Sequence, residues 1–320
     1  MTKLIIQIPC YNEEDTLPIT LAALPTSIEG IDVIERLVID DGSHDKTSEI
    51  AAQHNVEHII RFSKNRGLAR AFMAGIEGAL EAGADFIVNT DADNQYCADD
   101  IKTLLIPIIS GNAEIVVGAR PIDNISHFSP MKKYLQRIGS WVVRLVSGTN
   151  IDDAPSGFRA FSAAAAMQIN VFSEYTYTLE TIIAAGQRGI TITSVPIRTN
   201  KQLRQSRLIK SIPSYVWRSI VTIFRIFLYY RPLRSFGILG SIPFALGFLL
   251  GMRYLIFWLE GTTRAHTPSL ILSAILLLTG MLLWMAGLIG DLQAVNRKLL
   301  EDIQFAQRRH RHNSNKTSLS

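Results

Sequence analysis

The sequence predicts an α/β protein with a mostly parallel sheet, followed by a pair of membrane helices. Three observations carry this expectation. Short apolar runs end in polar clusters: Leu4-Ile5-Ile6-Gln7-Ile8 leads into Pro9-Cys10-Tyr11-Asn12-Glu13, Leu37-Val38-Ile39 into Asp40-Asp41-Gly42-Ser43, and Phe86-Ile87-Val88-Asn89-Thr90 into Asp91-Ala92-Asp93. Helix-compatible stretches separate the runs, and such alternation folds as a parallel sheet with helices on both faces. Hydrophobic residues make up 48% of the chain and mean hydropathy is +0.18, with the excess concentrated toward the C-terminal end.

The elements follow in order. After the first strand, residues 13–24 are helix-compatible. The second strand is followed by a helix over 45–54 and a strand over Val56–Phe62. Residues 67–82 form an amphipathic helix, because Leu68, Phe72, Ile76, Ala79 and Leu80 recur at helical spacing. Then come the strand ending at Asp91, a helix over 99–109, a strand over Glu114–Val117, a helix over 131–147 and a late strand over Ile190–Val195. A chain of 320 residues has room for one such domain plus an appendage. We expect a catalytic domain over 1–208, interfacial helices over 209–234, membrane helices over 235–290 and a basic tail over 291–320.

The membrane segments are read from length and charge. Residues 268–290 contain no charged side chain. At ~1.5 Å rise per residue they span ~34 Å, enough for a hydrocarbon core of ~30 Å. The first segment, 235–259, is interrupted only by Arg253, which can snorkel to the interface or meet a lipid phosphate. Before these spans, Ile212, Val216, Ile220, Ile223, Phe224 and Phe227 recur at helical spacing among arginines and aromatics. That pattern reads as one or two amphipathic helices lying at the membrane surface, with a helix packed on the first domain as the alternative.

Lys201, Arg204, Arg207, Lys210, Arg218, Arg225, Arg231 and Arg234 precede the first span. Arg297, Lys298, Arg308, Arg309, Arg311 and Lys316 follow the second, while the connecting loop offers only Arg264. The positive-inside rule therefore places both termini and the catalytic domain on the cytoplasmic side of the inner (cytoplasmic) membrane, as a multi-pass protein. The residues before the first strand carry no secretory signal. The tail Arg308-Arg309-His310-Arg311-His312 reads as a disordered basic end contacting anionic lipid. Nucleic acid is not the expected partner, since no recognition module accompanies the charge. The two cysteines, Cys10 and Cys97, lack metal or redox spacing and read as buried or incidental thiols in a reducing compartment.

The chemistry lies at the strand ends. In a parallel sheet the three polar clusters share one edge, where open α/β sheets bind ligands. Asp91 and Asp93 there would repel unless a cation lay between them. Mg²⁺ or Mn²⁺ is the natural candidate, being a hard ion that also carries phosphates. Carboxylates beside it suit the base and ribose of a nucleotide. Local explanations compete: a solvated Asp-rich turn for Asp91 and Asp93, an Asx-bonded turn for Asp40 and Asp41, and a first-turn helix residue for Glu13.

The ordered set of motifs resembles the family 2 glycosyltransferases of GT-A, Rossmann-like fold, near the dolichyl-phosphate mannose synthase and polyprenyl-phosphate glucosyltransferase branch. The matching residues are Pro9–Glu13, Asp40–Ser43, Asn65-Arg66-Gly67 with Ala71, Asp91-Ala92-Asp93-Asn94-Gln95, Gly118-Ala119-Arg120, and Asp153 with Ser156–Phe161. The resemblance covers residues 3–200. It implies inverting transfer from a nucleotide-sugar, UDP- or GDP-linked. Asp91, Asp93 and Gln95 would hold the metal. Pro9, Tyr11, Asn12, Glu13, Asp40, Asp41, Asp91 and Ala92 would line the nucleotide pocket. Asp91, Asp93, Arg120 and Arg159 would be catalytic.

A phosphate acceptor is already anionic at neutral pH and needs cations rather than a base. Arg120, Arg159, Arg204 and Arg207 are the expected lipid-phosphate ligands, and a plain juxtamembrane basic stretch equally explains Arg204 and Arg207. Asp153 orients an arginine or the sugar, or forms a structural salt bridge. Glu180 could approach the sugar, but a solvated or capping role suits it better. One departure stands out: the family often follows its Gln with an aromatic or His and then prolines, where this chain has Tyr96-Cys97-Ala98.

The expected reaction joins a nucleotide-sugar to a membrane polyprenyl phosphate. The alternatives are a glycolipid synthase with a hydroxyl acceptor such as diacylglycerol, and a non-enzymatic nucleotide-sugar-binding scaffold. Membrane lipids are expected partners. A homo-oligomer is expected because two membrane helices bury little surface alone.

Overall fold

A computed structural model describes residues 1–121, 139–141, 143–144, 147–171, 177–200, 221, 224, 228, 232–261 and 267–319. The chain forms two compact units, one of Met1–Ser219 with Asp302–Ser320, the other of Ile220–Glu301.

The first unit is built on a seven-stranded sheet. β1 (Lys3–Cys10) lies parallel between β2 (Val33–Asp40) and β4 (Phe86–Asn89), and β3 (His58–Arg61) extends the sheet beyond β2. β5 (Ile115–Ala119) pairs in parallel with β7 (Ile192–Pro196). Between β4 and β5 runs β6 (Arg159–Ser162), antiparallel to both. The order is β3-β2-β1-β4-β6-β5-β7. The mostly parallel sheet is as expected. β6 is the addition, inside a motif that the sequence marks for its polar residues and too short to show a period.

Pleating explains the two cores. Along β1, Leu4, Ile6 and Ile8 face a layer with α1 (Leu17–Ala23), α2 (Thr47–Gln53) and α4 (Ile101–Ile109). Ile5 faces the other way, toward α3 (Leu68–Glu81), α5 (Ala163–Gln168) and α6 (Thr178–Arg188). Burial on both faces is why the strand reads as a continuous apolar run. Phe72, Ile76, Ala79 and Leu80 are the buried stripe of α3, as their spacing predicts. Each large apolar side chain buried this way stabilises the fold by roughly 1.5–3 kcal/mol. Of the helix expected over 131–147, residues 139–141 and 143–144 are helical and most of the remainder lies outside the described residues.

The second unit contains α7 (Pro232–Leu259) and the first part of α8 (Thr267–Leu319). Both are long and apolar enough to cross a membrane, with mean hydropathy 1.8 and 2.2 over an 18-residue stretch of each. Leu246, Leu249, Leu278 and Leu282 are exposed along them, as lipid-facing side chains would be. Small residues let the pair approach closely: a Cβ on Gly240 would lie 2.8 Å from Gly280 O, and Ser273 Oγ donates to Gly247 O at 2.7 Å. Arg253 sits over the Phe257 ring at 5.4 Å.

Two boundaries need correction. α7 begins at Pro232 rather than 235. α8 does not end at 290 but continues to Leu319, so the expected disordered tail is helical, and its residues from Asp302 belong to the first unit. The interfacial segment 209–231 lies, apart from isolated positions, outside the described residues.

Candidate active site

The parallel strands β1, β2 and β4 end side by side, with Cys10 opposite Asp40 and Gln7 opposite Asn89. The loop after β1 turns at Asn12, whose φ of 55° is left-handed, a conformation asparagine tolerates. Its N–H donates to Ser43 Oγ at 2.9 Å, and its Oδ1 accepts from His44 N at 2.9 Å, tying the first two polar clusters together. Pro9 is buried and Tyr11 is 37% exposed at the mouth. Glu13 is buried: its N–H donates to Thr47 Oγ1 at 2.9 Å and its Oε2 accepts from Thr16 Oγ1 at 2.8 Å.

The two carboxylates after β2 turn inward. Asp40 is fully buried, accepting from Ser43 N at 2.8 Å and from Ser48 Oγ, with Arg61 Nε 3.5 Å away. These bonds form the local turn that the sequence allows after β2. Asp41 accepts from Arg66 N at 2.7 Å and Gly67 N at 2.9 Å, fixing the entrance to α3. Burial raises its pKa against those two donors.

The acidic loop after β4 has a buried polar floor. Asn89 accepts from Gln7 Nε2 at 2.8 Å and donates through Nδ2 to Gly157 O at 2.8 Å and Tyr177 Oη at 2.9 Å. Gly157 N donates to Tyr96 Oη at 3.1 Å, and the Tyr96 hydroxyl also bonds Asp91. Desolvation first, and then the charge of Asp93, push Asp91 up to about 7. Ala92 is buried and its carbonyl accepts from Thr20 Oγ1 at 2.9 Å. Asp93 Oδ1 accepts from Gln95 N at 3.1 Å. The sequence singles out none of Gln7, Asn89, Gly157 and Tyr177 as site residues. Gln7 and Asn89 carry a signal nonetheless, being amides inside apolar strands.

Arg120, at the end of β5, is gripped by Asp153: Nε to Oδ2 is 2.7 Å and Nη2 to Oδ1 is 3.0 Å. Its charge reaches Asp91 and acts to lower that carboxyl's pKa. The Asp153 contact is the salt bridge the sequence allowed.

Arg159 is held by the protein itself. It is fully buried at the start of β6, donating to Ser156 O at 2.8 Å, Ala154 O at 2.7 Å and Thr181 Oγ1. Burial pulls its pKa down to about 10, so it stays charged at neutral pH. A guanidinium engaged this way braces the loop that carries Asp153. Glu180 is 4% exposed in the first turn of α6, so it is not solvated.

The loop after Gln95, which lacks the family's prolines, is held by another segment. Asn200 N donates to Gln95 O at 2.8 Å, Asn200 Nδ2 to Asn94 O at 3.0 Å, and Cys97 N to Arg198 O at 3.3 Å. Asp100 accepts from Arg198 Nη2 at 2.7 Å. Arg204 and Arg207 follow Asn200 in sequence and lie outside the described residues. Cys10 and Cys97 are free thiols, Cys10 buried and Cys97 half-buried.

The donor set fits a hard divalent cation. Among the described residues no three His, Cys, Asp or Glu side chains converge on one point, so a closed protein cage is not offered. Two neighbouring carboxyl groups, one of them raised by burial and by the other's charge, match an ion that completes its shell with water and phosphate oxygens.

The family model described as Glycosyl transferase family 2 matches residues 5–169, just over half of the chain. The chain belongs to glycosyl transferase family 2. This glycosyltransferase is 32% identical over 217 residues to a UDP-N-acetylglucosamine–dolichyl-phosphate N-acetylglucosaminyltransferase of Methanococcus voltae, covering 60% of this chain and 83% of the relative. It is 29% identical over 217 residues to an undecaprenyl-phosphate mannosyltransferase of Micrococcus luteus, covering 64% and 87%. Its fold matches glucosyl-3-phosphoglycerate synthase of Mycobacterium tuberculosis, solved with Mn²⁺, UDP and glucosyl-3-phosphoglycerate. The TM-score there is 0.55 at 15% identity, over 69% of this chain and 80% of that one. The GT-A fold expected from the motifs is therefore present.

Proposed function

We propose that this family 2 glycosyltransferase moves a sugar from a UDP- or GDP-sugar to a membrane polyprenyl phosphate with inversion, yielding a polyprenyl monophosphate-sugar on the cytoplasmic leaflet. One juxtaposition carries the reading: Asp91 after β4 lies within electrostatic reach both of Asp93 and of Arg120 after β5, whose guanidinium Asp153 orients. Asp91, Asp93 and Gln95 would hold Mg²⁺ or Mn²⁺, which when bound offsets the charge of the departing diphosphate. Tyr11, Asn12 and Glu13, with Pro9 and Ala92 behind them, form the donor side. Asp40 and Asp41 shape that side through the turns they hold, and Asp41 lies at its edge.

Arg120 receives the acceptor phosphate. A phosphate monoester has a second pKa of about 6, so it reaches the site as a nucleophilic anion. The chain must hold and aim it, and arginine geometry suits that task. Arg159 acts one step back, keeping the 153–158 loop rigid. Arg204 and Arg207 join the acceptor side. The names of the two relatives share a polyprenyl phosphate and differ in the sugar, so they support the acceptor class alone.

Two membrane spans with both termini on the catalytic side are part of the proposal, and the grouping of residues before Ile220 with those after Glu301 in one compact unit supports it. The basic flanks support a cytoplasmic side, and a homo-oligomer in the membrane is part of the proposal.

The test uses purified protein in detergent, a short polyprenyl phosphate, Mn²⁺ or Mg²⁺, and a panel of UDP- and GDP-sugars. Mass spectrometry is expected to find a metal-dependent polyprenyl monophosphate-sugar. Glycosylation of diacylglycerol or a glycan instead would refute the phosphate acceptor.

A further inference from the structure

The basic end of the chain has a protein partner. Arg308 Nη1 donates to Met167 O at 3.2 Å and Ile169 O at 2.9 Å, and its Nη2 meets Glu77 Oε1 at 2.9 Å. His312 is 6% exposed, with Nδ1 2.9 Å from Leu80 O. Asn315 Nδ2 donates to Glu81 O at 2.9 Å, and Lys316 pairs with Asp85. Phe305 packs on the same core face. Positions 305, 308, 312, 315 and 316 form one face of α8.

These contacts fall at two helix ends. Met167 and Ile169 flank the C-terminus of α5, and Leu80 and Glu81 close α3. The last carbonyls of a helix lack intrahelical donors and carry partial negative charge, which cations stabilise. Neither α3 nor α5 has a basic residue in its own last turn. Arg308, His312 and Asn315 supply donors to these carbonyls from more than a hundred residues away in sequence, and Lys316 pairs with Asp85 just beyond α3.

We infer that residues 302–316 are a built-in cap for the C-terminal ends of α3 and α5. The first unit is thus discontinuous in sequence and is completed by the far end of α8, from Asp302 on. At its other end, α3 starts beside Arg66 and Gly67, whose N–H groups hold Asp41. The cap therefore steadies the helix on which that loop rests. None of this depends on the sugar, the metal or the acceptor.

Hydrogen exchange tests the cap in the full chain, in a chain ended after Glu301, and in an Arg308→Ala/Lys316→Ala double variant that guards against a truncation unable to fold. In detergent free of anionic lipid, amides at residues 78–85 are expected to exchange at least about tenfold faster in both altered proteins, the effect of losing one or more charge-assisted hydrogen bonds. A synthetic peptide of residues 302–320 is expected to restore protection to the truncated chain. Adding anionic phospholipid vesicles to the full chain should leave residues 78–85 protected. Unchanged exchange in the double variant would overturn the inference. So would loss of protection on adding those vesicles, since the segment would then prefer lipid to the helix ends.

Discussion

Replacing Gly157 by alanine would press a methyl group against the carboxylate of Asp91. A Cβ there lies 2.9 Å from Tyr177 Oη and 3.2 Å from both carboxylate oxygens of Asp91. Tyr177 cannot yield easily. It is 1% exposed, its ring stacks on Phe72 at 4.0 Å, and its hydroxyl accepts from Asn89 at 2.9 Å. Restoring that contact to an ordinary 3.4 Å needs a shift of about 0.5 Å, and each Asp91 oxygen must retreat by about 0.2 Å.

Overpacking of this kind costs about 1–3 kcal/mol. A misplacement of about 1 Å at a reacting centre costs about 10²-fold in rate, so 0.2–0.5 Å scales to roughly 3- to 10-fold in kcat. The assay pairs thermal melting with initial rates at saturating donor, and Gly139→Ala is the control, because a Cβ there meets nothing within 4 Å. Melting temperature and kcat both falling in Gly157→Ala alone is the expected result. Wild-type values for both would show that Gly157 does not set the position of Asp91, and the polar floor would lose its role.

Three further outcomes follow from the same geometry. Asp153→Ala strands Arg120 without its buried partner and should cost about 3–5 kcal/mol, whereas Glu57→Ala, which breaks the more exposed Arg36–Glu57 pair, should cost about 0–1 kcal/mol; melting in detergent compares them. Arg159→Lys loses the fork that reaches three acceptors and should lower the melting temperature; a wild-type melting temperature with a raised acceptor KM would instead make Arg159 a phosphate ligand. Asp91, raised from 3.8 to about 7 without metal, stabilises the metal-free fold fully below about pH 4 and loses that contribution as pH rises through 7. A cation must displace its proton, so Mn²⁺ affinity by calorimetry should weaken roughly tenfold from about pH 8 to about pH 6, with no such slope in Asp91→Asn.

Local pattern made most of the sheet legible, because β1, β2 and β4 are buried on both faces and end in polar turns. Composition alone separates Asp91 and Asp93, which face one another's charge, from nothing else in the chain. It cannot separate Asp40, whose oxygens its own turn captures, from a carboxylate offered to a ligand, since both are acids after an apolar strand. Arg120 and Arg159 present the same difficulty. Each stands in a family motif, yet one is oriented by Asp153 and the other is engaged by carbonyls of the loop before β6, a strand of four residues that no periodicity reveals. The basic tail is the clearest case. A run of cations near a membrane helix has two partners open to it, anionic lipid and the carbonyl ends of helices. Only the packing that brings α3 and α5 to one face decides between them, and that packing joins residues on opposite sides of the membrane segments. No window along the sequence contains both halves of such a contact.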